Sequence, residues 1–133
     1  MITGKCYCGA ISYELQSAPV KSGICTCQDC QRLTGGTAWP FMAVLKEALL
    51  IHGTVKEFTR SAASGKHIHV GFCDTCGSTV FGRPERWPHL TIVGASSLDD
   101  KSLFYPEVQV WSSEAPEWMP FLSAVPQFDK DAS

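Results

Sequence analysis

The chain has 133 residues, 44% of them hydrophobic, enough to bury roughly two-thirds of its unfolded surface in one domain, which we place at residues 1–126. A formal net charge of -2 with scattered basic residues excludes a polycationic face and makes nucleic acid an unexpected partner. The longest apolar run, residues 38–45, contains Pro40 and is too short for a membrane span, and the opening Met1-Ile2-Thr3-Gly4-Lys5 does not resemble a secretion signal, so a soluble cytoplasmic protein is expected.

Eleven glycines and eight prolines spread along the sequence predict brief strands joined by tight turns, hence a mainly β fold of stacked antiparallel sheets. Cys6 and Cys8 are expected in an extended N-terminal segment, where residues two apart face one side. After a turn at Gly9-Ala10, Ile11, Tyr13 and Leu15 alternate with Ser12 and Glu14, which predicts a strand with one buried face. A short helix is expected over residues 28–33, closed by Gly35-Gly36. Strands follow at 38–44, 49–52, 55–60, 66–72, 79–82 and 89–94, then a second short helix at 97–103 and a last strand at 107–111. The small, charged tail 127–133 is expected to fray.

All seven cysteines fall into three close-set groups: Cys6/Cys8, Cys25/Cys27/Cys30 and Cys73/Cys76. An odd count argues against a complete set of internal disulfides. A redox motif at Cys73-Asp74-Thr75-Cys76 would need a strand-to-helix setting, and Gly77 favours a turn; buried inert cysteine is the other alternative. Cysteines so spaced can reach one zinc ion about 2.3 Å away, and a tetrahedral structural site takes four of them. Two pairs, Cys6/Cys8 and Cys73/Cys76, would supply four and tie the N-terminal strand to the middle of the chain. Cys25, Cys27 and Cys30 form a compact claw that leaves one coordination position open, as catalytic zinc requires.

Three motifs carry a resemblance: Gly4-Lys5-Cys6-Tyr7-Cys8-Gly9-Ala10-Ile11-Ser12-Tyr13, Cys25-Thr26-Cys27-Gln28-Asp29-Cys30-Gln31-Arg32 and Phe72-Cys73-Asp74-Thr75-Cys76-Gly77-Ser78. With Tyr105-Pro106-Glu107-Val108, Trp111 and Glu117-Trp118 they make the chain resemble, over nearly its whole length, the glutathione-dependent formaldehyde-activating enzyme family. The resemblance implies an Mss4-like β fold, a structural zinc at Cys6, Cys8, Cys73 and Cys76, and a catalytic zinc at Cys25, Cys27 and Cys30. It also implies condensation of glutathione with formaldehyde to S-hydroxymethylglutathione. Many relatives carry His between the first two claw cysteines and Arg just after the third, where this chain has Thr26 and Gln31-Arg32.

Three thiolates leave bound zinc with a net negative charge, so a soft sulfur suits the fourth position better than water. A thiol held there would lose its proton and attack a small aldehyde, with carbon–sulfur cleavage as the reverse. This makes the chain a carbon–sulfur lyase or S-hydroxymethylglutathione synthase; the alternative is a non-catalytic Mss4-like zinc scaffold or binding module. The expected partner is a small thiol or its adduct, and Arg32 is the candidate for the balancing positive charge. Trp39, Phe41 and Trp118 are candidates for the cleft mouth, against the usual place of such aromatics in the core. His67 and His69 share a strand face and are read as solvent-facing or hydrogen-bonded rather than as ligands. Asp29 is close to the claw, but no general acid or base is assigned.

Overall fold

The computed structural model describes residues 1–119 and 124–132. In chain order the strands are β1 (Ile2–Lys5), β2 (Ser12–Leu15), β3 (Lys21–Cys25), β4 (Trp39–Leu45), β5 (Leu49–His52), β6 (Val55–Ser61), β7 (His67–Cys73), β8 (Thr79–Pro84), β9 (Leu90–Gly94) and β10 (Val108–Val110), with helix α1 (Gln28–Thr34) between β3 and β4. They form a three-stranded sheet, β1-β2-β5, and a seven-stranded sheet, β10-β3-β4-β9-β8-β7-β6. Every pairing is antiparallel except that of β10 with β3.

The expected mainly β, stacked antiparallel architecture is present. The alternation at Ile11, Tyr13 and Leu15 does what its pattern predicts: these side chains are buried, and they meet Met42, Val44, Val80 and Val93 of the large sheet. Each such burial contributes about 1.5–3 kcal/mol, which holds the two sheets together. Tyr13 keeps its polar end satisfied through Ser97 Oγ at 2.7 Å. At the other end of the large sheet, Arg83 of β8 grips Glu57 of β6 with two 2.7 Å hydrogen bonds across β7.

Strands expected at 38–44, 49–52, 55–60, 66–72, 79–82, 89–94 and 107–111 match the observed ones to within two residues at each end. β3 was not anticipated, because Ser22 and Gly23 are buried side by side and erase its alternation. A Cβ on Gly23 would lie 2.8 Å from the Phe41 ring and 2.9 Å from Val108, so only glycine lets β4 and β10 close on this strand. The helix expected at 97–103 is instead two 3₁₀ turns, Ala95–Ser97 and Lys101–Leu103. Leu98, buried in the core and bridged to Gly4, interrupts them.

The tail also differs from the frayed segment expected at 127–133. Its described part runs alongside β10: Gln109 N–H donates to Pro126 O at 3.0 Å, Phe128 N–H to Gln109 O at 2.9 Å and Trp111 N–H to Lys130 O at 3.1 Å. β10 ends the sheet order, and an edge strand's backbone groups need partners, which the tail supplies. No described helix is long and apolar enough to cross a membrane.

Candidate metal centres

Two glycine-closed loops build the four-sulfur cluster. In the β1–β2 loop Cys6 N–H donates to Ile11 O at 3.0 Å, Gly9 N–H donates to Cys6 O at 3.2 Å, and Gly9 takes φ 83°. In the β7–β8 loop Gly77 N–H donates to Cys73 O at 2.8 Å, with Gly77 at the positive φ of 77° that its position in the sequence predicted. Cys6 and Cys8 therefore converge through a turn, not along the extended segment expected for them. Tyr7 N–H donates to Ser78 Oγ at 3.1 Å and joins the two loops.

The Sγ atoms of Cys6, Cys8, Cys73 and Cys76 all lie within 4.8 Å of one another. Cys6–Cys8 and Cys8–Cys73 are each 3.7 Å apart, against about 3.8 Å for the edge of a tetrahedron with zinc–sulfur bonds of about 2.3 Å. Backbone N–H groups of Ile11 and Thr75 point at Cys6 and Cys73 sulfurs from 3.3 and 3.4 Å, an environment suited to thiolates. The Ser78 hydroxyl and backbone N–H, with further help from the Cys8 backbone, draw Cys76 down to about 5.

The second cluster sits where β3 hands over to α1. Cys25 ends the strand, Cys27 is the N-cap and Cys30 lies in the first turn. Cys27 Sγ accepts from Cys30 N–H at 3.3 Å, taking the place that serine or aspartate usually fills. The three sulfurs lie within 4.8 Å of one another, and among the described residues no fourth His, Cys, Asp or Glu joins them. Hydrogen bonds from the Cys25 and Cys30 thiols, against the opposing effect of burial, hold Cys27 far below the ordinary thiol range, with Arg60 adding a smaller attraction. Cys25 and Cys30 are pushed up in turn, first through their bonds with Cys27 and Cys25 respectively. A triangle of sulfurs accommodates one negative charge by itself; a divalent cation at its centre would let all three ionise. The donor set fits zinc at both clusters.

Polar side chains fix the claw's backbone. Thr26 is fully buried, and its hydroxyl donates to Trp111 O at 2.9 Å while accepting from Gln109 Nε2 at 3.3 Å. Gln31 Nε2 donates to Thr26 O at 2.9 Å and to Glu114 O at 3.0 Å, and Glu114 Oε1 accepts from Gln28 N–H at 2.8 Å. Thr26 and Gln31, the departures from the related pattern, thus bolt the claw to β10 and the segment after it.

All three claw cysteines line a cavity of about 420 Å³. Trp39 and Phe41 also line it, in agreement with their candidacy, while Trp118 is 75% exposed and lies outside it; Trp87 and Trp111 supply the other indole walls. Arg32 is exposed on α1 and does not face the cavity. Two residues advance a helix by about 200°, so Arg32 points away from the side that carries Cys30. Two guanidinium groups line the cavity, those of Arg60 and Arg86; the one that acts on the claw is Arg60 on β6, whose charge favours the Cys27 thiolate and whose Nη1 lies 3.2 Å from Asp29 Oδ2. His67 lines the cavity, His69 bonds Thr59 and Glu85, and neither joins a sulfur cluster. Arg60 carries no local signal in the sequence: it comes to the claw through the pairing of β6 at the far end of the sheet.

The family model for the glutathione-dependent formaldehyde-activating enzyme matches residues 1–114. The chain belongs to this family. A relative within reach of direct comparison is a Halomonas elongata protein named "Putative glutathione-dependent formaldehyde-activating enzyme", 26% identical over 125 residues, covering 90% of this chain and 80% of that one. A Rhodobacter sphaeroides protein of known crystal structure shares the fold at a TM-score of 0.56 and 19% identity, covering 94% of this chain and 98% of its own.

Proposed function

We propose that this member of the formaldehyde-activating family is a zinc-dependent carbon–sulfur lyase that interconverts a thiol and formaldehyde with their adduct, glutathione being the thiol its family name indicates. Zinc would be structural at Cys6, Cys8, Cys73 and Cys76 and catalytic at Cys25, Cys27 and Cys30. The contrast between the clusters supports this reading most: one offers a complete tetrahedral set, the other falls one ligand short and faces a cavity. A scaffold without turnover would be expected to complete the claw with a fourth protein ligand, and none is found among the described residues.

Zinc held by the claw would supply the charge that keeps an incoming thiol ionised near neutral pH while leaving its sulfur nucleophilic. The substrate sulfur's lone pair then forms the C–S bond to the formaldehyde carbon, the carbonyl π electrons move to oxygen, and oxygen takes a proton from water to replace the one the thiol released. The reverse sequence breaks the C–S bond. Arg60 offsets the negative charge that the claw and substrate sulfur accumulate, and the Trp39, Phe41 and Trp111 walls limit water around it. Thr26 and Gln31 keep the claw's geometry fixed through the cycle.

Exchange NMR between free formaldehyde hydrate and S-hydroxymethylglutathione tests this. Wild-type protein loaded with zinc at both clusters should accelerate exchange, and Cys27→Ala should abolish the acceleration. Background exchange with fully loaded wild type would defeat the lyase reading.

A further inference from the structure

We infer that Asp131, beyond the 1–114 region shared with the family, is a positioning residue that sets the rim of the claw cavity. Its carboxylate has two arms: Oδ1 accepts from Trp111 Nε1 at 3.0 Å, and Oδ2 lies 3.2 Å from Arg86 Nη1. Arg86 in turn lies 4.5 Å above the Trp87 ring. Asp131, Trp111, Arg86 and Trp87 line the same cavity as the claw cysteines, so one carboxylate ties two separate parts of its wall, the β8–β9 connection and the segment after β10.

Trp111 gives this contact its reach. Its backbone is left-handed, φ 56° and ψ 36°, a conformation that a bulky side chain adopts only where its surroundings enforce it. Three bonds do so: its N–H donates to Lys130 O at 3.1 Å, its indole to Asp131, and its carbonyl accepts from the Thr26 hydroxyl at 2.9 Å. Thr26 lies between two claw cysteines. The tail, the indole wall and the sulfur cluster therefore form one connected chain of contacts, with Asp131 at the end reachable from solvent. The Arg86–Asp131 pair is partly exposed, 34% and 40%, so it adds little to folding, and its loss should be felt in ligand binding instead.

This inference rests on the claw being a thiol site. The test is glutathione titration of protein loaded with cobalt(II) at both clusters, read through the visible absorption of the claw ion. Asp131→Ala should raise the half-saturating glutathione concentration about tenfold, with unchanged metal content and saturated spectrum and a melting temperature lowered by no more than about 5 °C, the effect of losing the indole hydrogen bond. Asp131→Asn, which keeps a carbonyl oxygen for the indole but loses the charge opposite Arg86, should fall between the two, and it carries the test alone if the alanine variant does not fold. Half-saturation within about twofold of wild type in the folded variant overturns the inference. A wild-type spectrum indifferent to glutathione overturns the thiol-site reading and this inference with it, so the two failures are distinct.

Discussion

Cys76→Ser and Cys27→Ala remove one sulfur each, yet the fold sets very different consequences. Cys76 belongs to the cluster that links the β1–β2 loop to the β7–β8 loop across 65 residues of sequence, with Cys6 and Cys73 almost fully buried against the core. A structural zinc of this kind contributes about 10 kcal/mol or more to a small domain. The whole native margin is about 5–15 kcal/mol, so losing a ligand should leave Cys76→Ser largely unfolded or melting far below wild type. At the claw, β3 is held on both sides by β4 and β10, and Thr26 and Gln31 hold the loop independently of any ion. Cys27→Ala then loses the N-cap, about 1 kcal/mol, together with the smaller contribution of a three-ligand ion. A loss of 1 kcal/mol lowers melting by about 3–6 °C in a domain of this size. Calorimetry of the zinc-loaded proteins with parallel metal analysis measures both. A Cys76→Ser protein that melts with wild type and retains full zinc, or a Cys27→Ala protein that fails to fold, would refute the division of labour.

Wild-type protein should bind two zinc ions per chain, and under mild chelation the claw ion should leave first, because three protein ligands hold it less firmly than four. A single ion retained after zinc is added back would contradict this. Arg60→Gln should raise the half-saturating glutathione concentration of the cobalt-loaded protein by about tenfold, since it removes the cation facing the claw, whereas Arg32→Gln should leave it unchanged. The opposite ranking would restore Arg32 as the partner of the claw.

The cysteine grouping was legible in the sequence because metal clusters need their ligands close-set, and Gly77 announced its turn because a positive φ favours that residue. Strands with two-residue alternation, Tyr13 and Leu15 above all, declared their buried face. β3 did not, since its packing depends on the missing side chain of Gly23 rather than on an apolar pattern. Arg32 is near the claw along the chain, but helix geometry turns it outward, and Arg60 arrives from another strand through sheet order alone. The tail reads as charged and small; what orders it is the bare edge of β10, a property of the assembled sheet.

Cadmium-113 NMR of the protein with cadmium in place of zinc addresses the open claw most directly, because each cluster gives its own resonance and its shift reports the number of bound sulfurs. Two resonances are expected: one at the position of a four-sulfur site, indifferent to added glutathione, and one characteristic of three sulfurs that moves toward the first as glutathione binds. Two four-sulfur resonances before any thiol is added, or a three-sulfur resonance that glutathione leaves in place, would contradict a claw built to receive a substrate thiol.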